Sequence, residues 1–216
     1  KDLWKFSQSS NVGLEGQGSS NSVGVGYGTD ALRLELNGAI NDARRYDLTG
    51  TASKFGGKLT GKPSDRTSFT ADFEADATAG TMLSYGVAFG YEDPKKFQKY
   101  LLDYHRDFAG DVPVDRFMAH AQTRITDRFS VGGRANANLQ DGHFESGKLD
   151  VLGGYDTTIG GEKVTWLLGA EQGFGPGGEM GATGIKAGVQ VRGVPLTIKY
   201  EPETKTTSFQ IELFKF

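Results

Sequence analysis

The stretch from Phe69 to Tyr91, FTADFEADATAGTMLSYGVAFGY, decides the fold class. Apolar residues occupy every second position from Phe69 to Ala77, and acidic or hydroxyl residues occupy the positions between them. After a small Ala-Gly break, a second alternating run begins at Leu83. Side chains alternate between the two faces of a β-strand with a period of two. The stretch therefore predicts two β-strands, each with one apolar face.

The same alternation recurs along most of the 216-residue chain. Further runs of this kind begin at Leu32, Phe117, Phe129, Leu149, Ile185 and Val194. Strands of about ten residues are long enough to cross the apolar layer of a bilayer when they are tilted. The spacing of the runs predicts about 12–14 such strands, organised as an all-β domain over residues 1–216.

Composition narrows the classes of function. The formal net charge is -3 and the basic residues are spread singly, so the chain lacks the basic stripe that nucleic-acid binding requires. No apolar run reaches the roughly 18 residues of a membrane helix. If the chain enters a bilayer, it must therefore do so as a closed antiparallel barrel, in which every backbone group is paired.

The connections between the runs also alternate, between tight turns and longer polar links. The tight turns fall at Ala79-Gly80, Thr126-Asp127, Gly160-Gly161 and Gly193, and the links at 92–113, 140–146, 175–179 and 202–206. Short turns on one side and longer loops on the other are typical of an up-and-down transmembrane β-barrel.

One segment departs from the period of two. Asp93 and Pro94 provide a helix start, and four apolar residues follow at helical spacing: Phe97, Leu101, Tyr104 and Phe108. Residues 94–108 are therefore predicted to form an amphipathic helix in the longest loop, on the extracellular side. There the helix would narrow or cover one mouth of the barrel and act as a gating element.

Three features favour apolar faces that point outward. Aromatic residues concentrate near strand ends, Ala and Gly dominate the middle of the apolar faces, and a barrel of about twelve or more strands is too wide for side chains to fill. A basic residue that faced lipid near the middle of the membrane would cost roughly 2–4 kcal/mol. The polar residues predicted to line the lumen and set its selectivity are Asp72, Glu74, Asp76, Arg124, Arg134, Lys186, Arg192 and His120.

With these patterns the chain resembles the bacterial outer-membrane β-barrel proteins of the porin-like class, from about Ser10 to Phe216. That class typically ends on an aromatic residue in an alternating last strand, and here the chain ends SFQIELFKF. Phe214 and Phe216 match this ending, whereas Phe209 lies on the opposite parity, as it would if a bulge shifted the face. The resemblance implies a location in the bacterial outer membrane and contact with membrane lipid.

Catalytic and ligand-binding motifs are weak. The three histidines, His105, His120 and His143, lack a motif-like Ser or Asp companion in sequence. The glycine-rich pieces lack the Lys and the strand–loop–helix setting of a phosphate loop. Asp72, Glu74 and Asp76 stack along one strand face instead of converging on a metal. We expect no enzyme activity, no metal and no cofactor.

The leading expectation is an outer-membrane channel that passes a hydrophilic or charged solute or polymer through a polar lumen. One alternative is a non-conducting barrel that docks other envelope or secretion proteins, plugged by the 94–108 helix or by the segment KDLWKFSQSS. A second is a hydrolase active at the rim, in which His105 or His143 meets a carboxylate and a Ser. A third is a soluble binding barrel of lipocalin type.

Overall fold

The computed structural model describes residues 3–11, 19–29, 31–42, 51–108, 110–191 and 194–211. These residues form fourteen β-strands and one short 3₁₀ helix, Pro176–Gly178. Within the described ranges, no helix is long and apolar enough to cross a bilayer.

The strands follow one another in a simple order. They are β1 Leu3–Asn11, β2 Ser19–Gly28, β3 Leu32–Asp42, β4 Thr51–Ser64, β5 Thr67–Asp76, β6 Thr81–Asp93, β7 Gln98–Asp107, β8 Val114–Arg124, β9 Phe129–Gln140, β10 His143–Ile159, β11 Glu162–Phe174, β12 Met180–Val191, β13 Val194–Glu201 and β14 Thr206–Ile211. Each strand is hydrogen-bonded to its sequence neighbours, in the order β1 to β14, as one 14-stranded up-and-down sheet. The predicted all-β, antiparallel, up-and-down class is confirmed, at the upper end of the predicted strand number.

The chain divides into two compact units. The first comprises Lys1–Gly90 with Asp103–Val114, and the second comprises Tyr91–Leu102 with Asp115–Phe216. Strands β6 and β7 contribute residues to both units.

The predicted helix over residues 94–108 is wrong. Residues 94–97 form a tight turn, and the rest of the segment continues as β7, Gln98–Asp107. The segment also carries a period of two, because Tyr100, Leu102 and Tyr104 occupy every second position, although Leu101 is apolar as well. Tyr100 packs 5.9 Å from Tyr91 between ring centroids, and Tyr104 packs 6.0 Å from Tyr85, so both rings have partners on β6. Such cross-strand aromatic pairs stabilise the strand over the helix.

Closure into a barrel is not observed in the described residues. The sheet order begins at β1 and ends at β14, and these two strands are not paired with each other. Alternation in the sequence fixes the face that each side chain occupies, but it does not fix whether the first and last strands meet.

In the second unit, several charged or polar side chains are buried and several large apolar side chains are exposed. On β11, Trp166 and Leu168 of the apolar face are 52% and 67% exposed. On the neighbouring strands, Lys186 and Thr197 of the polar face are each only 2% exposed. Charged side chains are almost never fully buried unless they are paired, and large apolar side chains are usually buried. The second unit thus buries several polar side chains together with Leu152 and Leu167, and it leaves other large apolar side chains, such as Trp166 and Leu168, uncovered.

Aromatic rings cover glycines in the first unit. Gly57 lies opposite Phe73 and Gly61 opposite Phe69 across the β4–β5 ladder. A Cβ added at Gly61 would lie 2.1 Å from the Phe69 ring, and one at Gly57 would lie 2.5 Å from the Phe73 ring. These glycines leave space for a ring to lie flat on the neighbouring strand, a pairing that stabilises glycine in strands.

Candidate functional site on the polar face

Strands β10 to β13 place two like-charge rows side by side on the polar face. Asp150 on β10 lies directly opposite Glu171 on β11, and Lys186 on β12 lies directly opposite Lys199 on β13. Like charges opposite one another on a sheet are destabilising. In this arrangement, however, a pair of carboxylates lies next to a pair of ammonium groups, so each row neutralises the other.

Ion pairs connect the two rows. The Lys186 ammonium donates to Asp150 Oδ2 at 2.6 Å and lies 3.1 Å from Glu171 Oε2. The Lys199 ammonium contacts Glu171 Oε1, and it also lies 2.6 Å from Glu201 Oε1. Lys148 completes the group, with its Nζ 2.8 Å from Glu171 Oε2.

We call these six residues the lysine–carboxylate network: Lys148, Asp150, Glu171, Lys186, Lys199 and Glu201. Three positive and three negative groups give it a formal charge of zero. The side chains of Glu171 and Lys186 are only 5% and 3% exposed, so water does not solvate these charges and their partners must. Glu171 is the centre of the network, because its two oxygens contact all three lysines.

A glycine makes the central contact possible. Gly184 on β12 lies opposite Glu171 in the β11–β12 ladder. A Cβ at this position would lie 2.5 Å from Lys199 Cε and 3.1 Å from Glu171 Cγ. The bare backbone of Gly184 therefore leaves the space through which Lys199 reaches across β12 to the Glu171 carboxylate.

A second charged group surrounds Asp156 on β10. Asp156 Oδ2 lies 3.3 Å from Arg124 Nη2 and 2.9 Å from Lys163 Nζ. The hydroxyl of Thr165, itself 3% exposed, donates to Asp156 Oδ1 at 2.6 Å. On its other side, the Arg124 guanidinium lies over the ring of Phe97, 3.8 Å from the centroid. Arg124 thus links strand β8, the 94–97 turn and strand β10 within the second unit.

The predicted acidic row on β5 has three different local roles. Asp76 caps the turn that follows it, because its Oδ1 accepts hydrogen bonds from the backbone N–H groups of Thr78 and Ala79 at 2.7 and 2.9 Å. Glu74 accepts a hydrogen bond from Lys54 at 2.6 Å. The Asp72 side chain makes no hydrogen bond or ion pair within the described part of the first unit. Its Oδ1 lies 3.4 Å from the point where a Cβ at Gly86 would be, and His105 Nδ1 lies 2.9 Å from that same point.

The other predicted lumen-lining residues fall as follows. Lys186 belongs to the lysine–carboxylate network and Arg124 to the Asp156 group. His120 lies on β8 and Arg134 on β9. Arg192 lies outside the described residues. Of the four residues assigned to the gating helix, Phe97 is in the 94–97 turn, Leu101 and Tyr104 are in β7, and Phe108 follows β7.

The predicted list missed most of the network. Asp150, Glu171, Lys199 and Glu201 lie on the polar parity of their strands, as Lys186 does on its own. The period of two could therefore have assigned them to the polar face. The register between strands, which brings them into contact, is set by turn geometry and pairing, and cannot be read from one strand alone.

The rim-hydrolase alternative concerns His105 and His143. Neither His105 nor His143 hydrogen-bonds a Ser or a carboxylate in the part of the chain that the structure covers. No group of three or more His, Cys, Asp or Glu that could hold a metal ion occurs among those residues. The arrangement on the polar face can neutralise charge, orient solvent and contact polar solutes.

No protein-family model and no curated protein matches the chain.

Proposed function

We propose that this chain is a channel of the bacterial outer membrane that passes a hydrophilic or charged solute or polymer along its polar face. The observation that carries the proposal is the reversed exposure of the two faces. Leu168 and Trp166 are uncovered while Lys186 and Glu171 are buried, a distribution that suits hydrocarbon outside and polar contacts inside. In this proposal β1 and β14 pair to close the sheet, so that all 216 residues belong to one barrel.

The positions of the two segments that could have plugged the lumen favour a conducting barrel over a plugged one. The segment proposed as a gating helix is mainly β7, and most of KDLWKFSQSS is β1, which pairs with β2 from Leu3 to Asn11. In the proposed barrel, both segments therefore form part of the wall. A barrel of 14 strands is too wide for its inward side chains to fill.

The lysine–carboxylate network gives the proposed wall a neutral sector. Its charges are satisfied by one another, so we assign ion preference to polar residues outside it. Asp72 is the first candidate, because it lies on the polar parity of β5 and has no ion-pair partner among the described residues. A ring or cluster of carboxylates in a pore favours cations.

Planar-bilayer recording tests the channel. Purified protein should give discrete conductance steps, and Asp72→Asn should reduce the preference for cations over anions. Asp65→Asn is the matched control, because Asp65 is exposed in the β4–β5 turn. Absence of steps from protein that has inserted into the bilayer would instead favour the non-conducting docking barrel.

The orientation of the apolar face has its own test. Leu168→Arg should reduce insertion into lipid vesicles, because an Arg on the lipid face near the middle of the membrane costs roughly 2–4 kcal/mol. The same type of change in an exposed turn, Asp127→Arg, should have little effect. If Leu168→Arg inserts like the parent, or if the parent stays monodisperse without detergent, the apolar face does not meet lipid.

Closure can be tested by crosslinking. The chain has no Cys, so any disulfide must come from introduced residues. A panel with one Cys in Leu3–Asn11 and one in Thr206–Ile211 should contain pairs that oxidise readily in membranes. If every pair stays reduced while a control pair across the β1–β2 ladder oxidises, the barrel is not closed by these strands.

A further inference from the structure

Phe97 has a backbone conformation that its side chain does not favour. It ends the 94–97 turn with φ of 51°, in the left-handed region. Most of the other described residues with positive φ are glycines, such as Gly80 and Gly142, and the remaining two, Asp141 and Lys205, carry polar side chains. A bulky residue in this region is an outlier, and such strain tends to occur where a side chain has a function.

The ring of Phe97 is held in a defined position. The Arg124 guanidinium covers it at 3.8 Å, and Arg124 is in turn fixed by Asp156. The Phe97 residue as a whole nevertheless remains 52% exposed. One side of the ring therefore rests on a fixed cation, and the remainder of the ring is accessible.

The exposed ring borders a cleft that is lined mainly by residues with polar side chains. The cleft has a volume of about 350 Å³, and its walls include Glu92, Lys99 and Gln122 as well as Phe97. This volume lies at the lower end of the range for small-molecule sites. Lys99 Nζ and Glu92 Oε2 are 3.9 Å apart and both side chains are more than half exposed, so this pair is weak and easily opened.

The lining combines one apolar ring with groups of every hydrogen-bonding type. Glu92 accepts, Lys99 donates, and the amide of Gln98, which also lines the cleft, does both. A ligand that satisfies all of them needs hydroxyl groups that donate and accept, together with an apolar face. A pyranose ring has both, since its C–H face stacks on aromatic rings while its hydroxyls project from the edge.

We propose that the cleft beneath the 94–97 turn is a binding subsite for a single sugar ring, with Phe97 as the stacking platform. The role of this subsite in transport rests on the proposed function. The subsite adds to that function by identifying the solute as a saccharide. Phe97 contacts the ligand directly, and Arg124 acts as a positioning residue that holds the ring.

Binding to detergent-solubilised full-length protein tests the subsite without any measurement of current. Saturation-transfer NMR and calorimetric titration would use a neutral glucose trisaccharide, a galacturonate trisaccharide and, as an aromatic anion without hydroxyls, benzoate. Binding of at least one trisaccharide, with benzoate tenfold or more weaker, is expected. Equal binding of benzoate, or binding of neither trisaccharide at about 10 mM, overturns the proposal.

Variants locate the site. Phe97→Ala should weaken trisaccharide binding about tenfold or more, and Phe97→Trp should retain it, because a larger ring still provides a stacking face. Phe129→Ala removes a comparable exposed ring from β9 and should leave binding unchanged. Unchanged binding by a folded Phe97→Ala variant would overturn the assignment.

Two results separate this inference from the proposed function. Conductance steps without saccharide binding would contradict the subsite and support the channel. Saccharide binding that depends on Phe97, in a protein that never conducts, would support the subsite and contradict the channel.

Discussion

Replacing Glu171 by Gln should destabilise the protein far more than the same replacement at Glu74. The Glu171 carboxylate is 5% exposed and contacts Lys148, Lys186 and Lys199, so the change leaves three ammonium groups facing two carboxylates. Breaking a buried ion pair costs about 3–5 kcal/mol.

Partial compensation reduces this figure. Lys186 keeps Asp150 at 2.6 Å, Lys199 keeps Glu201 at 2.6 Å, and Lys148 is 44% exposed and can turn to water. We therefore expect a loss of about 2–4 kcal/mol in the free energy of unfolding. Glu74 and its partner Lys54 are 43% and 42% exposed, so Glu74→Gln should cost less than about 1 kcal/mol.

Equilibrium unfolding by urea, with the protein in lipid vesicles, measures both changes. With a slope of about 3 kcal/mol per molar urea, Glu171→Gln should lower the midpoint by about 1 M, and Glu74→Gln by no more than about 0.3 M. Adding Lys148→Gln to Glu171→Gln rebalances the charge and should restore part of the loss, which would show as non-additivity. A midpoint shift for Glu171→Gln no larger than that for Glu74→Gln would refute the role assigned to the buried network.

Three further changes probe other contacts. Gly61→Ala should lower the free energy of unfolding by about 1–3 kcal/mol, because the new methyl group would lie 2.1 Å from the Phe69 ring. Gly38→Ala is the control: the nearest atom to its new methyl group is 3.9 Å away, so the free energy of unfolding should change by less than about 1 kcal/mol. The urea midpoints of the two variants measure the difference. Arg124→Lys keeps the charge but loses the planar stack on Phe97, so chymotryptic cleavage after Phe97 should accelerate severalfold; an unchanged rate would mean that the stack does not hold the turn. Phe97→Gly should alter the free energy of unfolding by less than about 1 kcal/mol, since relief of backbone strain offsets the lost ring–cation contact, and thermal melting would detect a larger change.

The sequence predicted the strands well because alternation is a local signal. The two runs between Phe69 and Tyr91 lie in β5 and β6, and the runs that begin at Phe117 and Phe129 lie in β8 and β9. The error over residues 94–108 had a local cause. Asp93 and Pro94 begin a tight turn instead of a helix. In this turn, Asp93 Oδ1 accepts a hydrogen bond from the backbone N–H of Lys95 at 3.1 Å.

The polar site was only partly predictable, for a non-local reason. Asp72, Glu74 and Asp76 look equivalent along β5, yet one caps a turn and one is paired with Lys54 twenty residues earlier. The partners of Lys186 lie on β10 and β11. Which of these residues meet depends on strand register, and register is a property of neighbouring strands together.

The two like-charge rows also bear on the order in which the protein assembles. Within the network, the β10–β11 hairpin alone holds Lys148 against Asp150 and Glu171 and is negative by one, while the β12–β13 hairpin holds Lys186 and Lys199 against Glu201 and is positive by one. Each hairpin therefore carries internal repulsion until the other arrives, and their mutual attraction draws them into a single register. Strands β10 to β13 should consequently behave as one cooperative folding unit, instead of growing strand by strand.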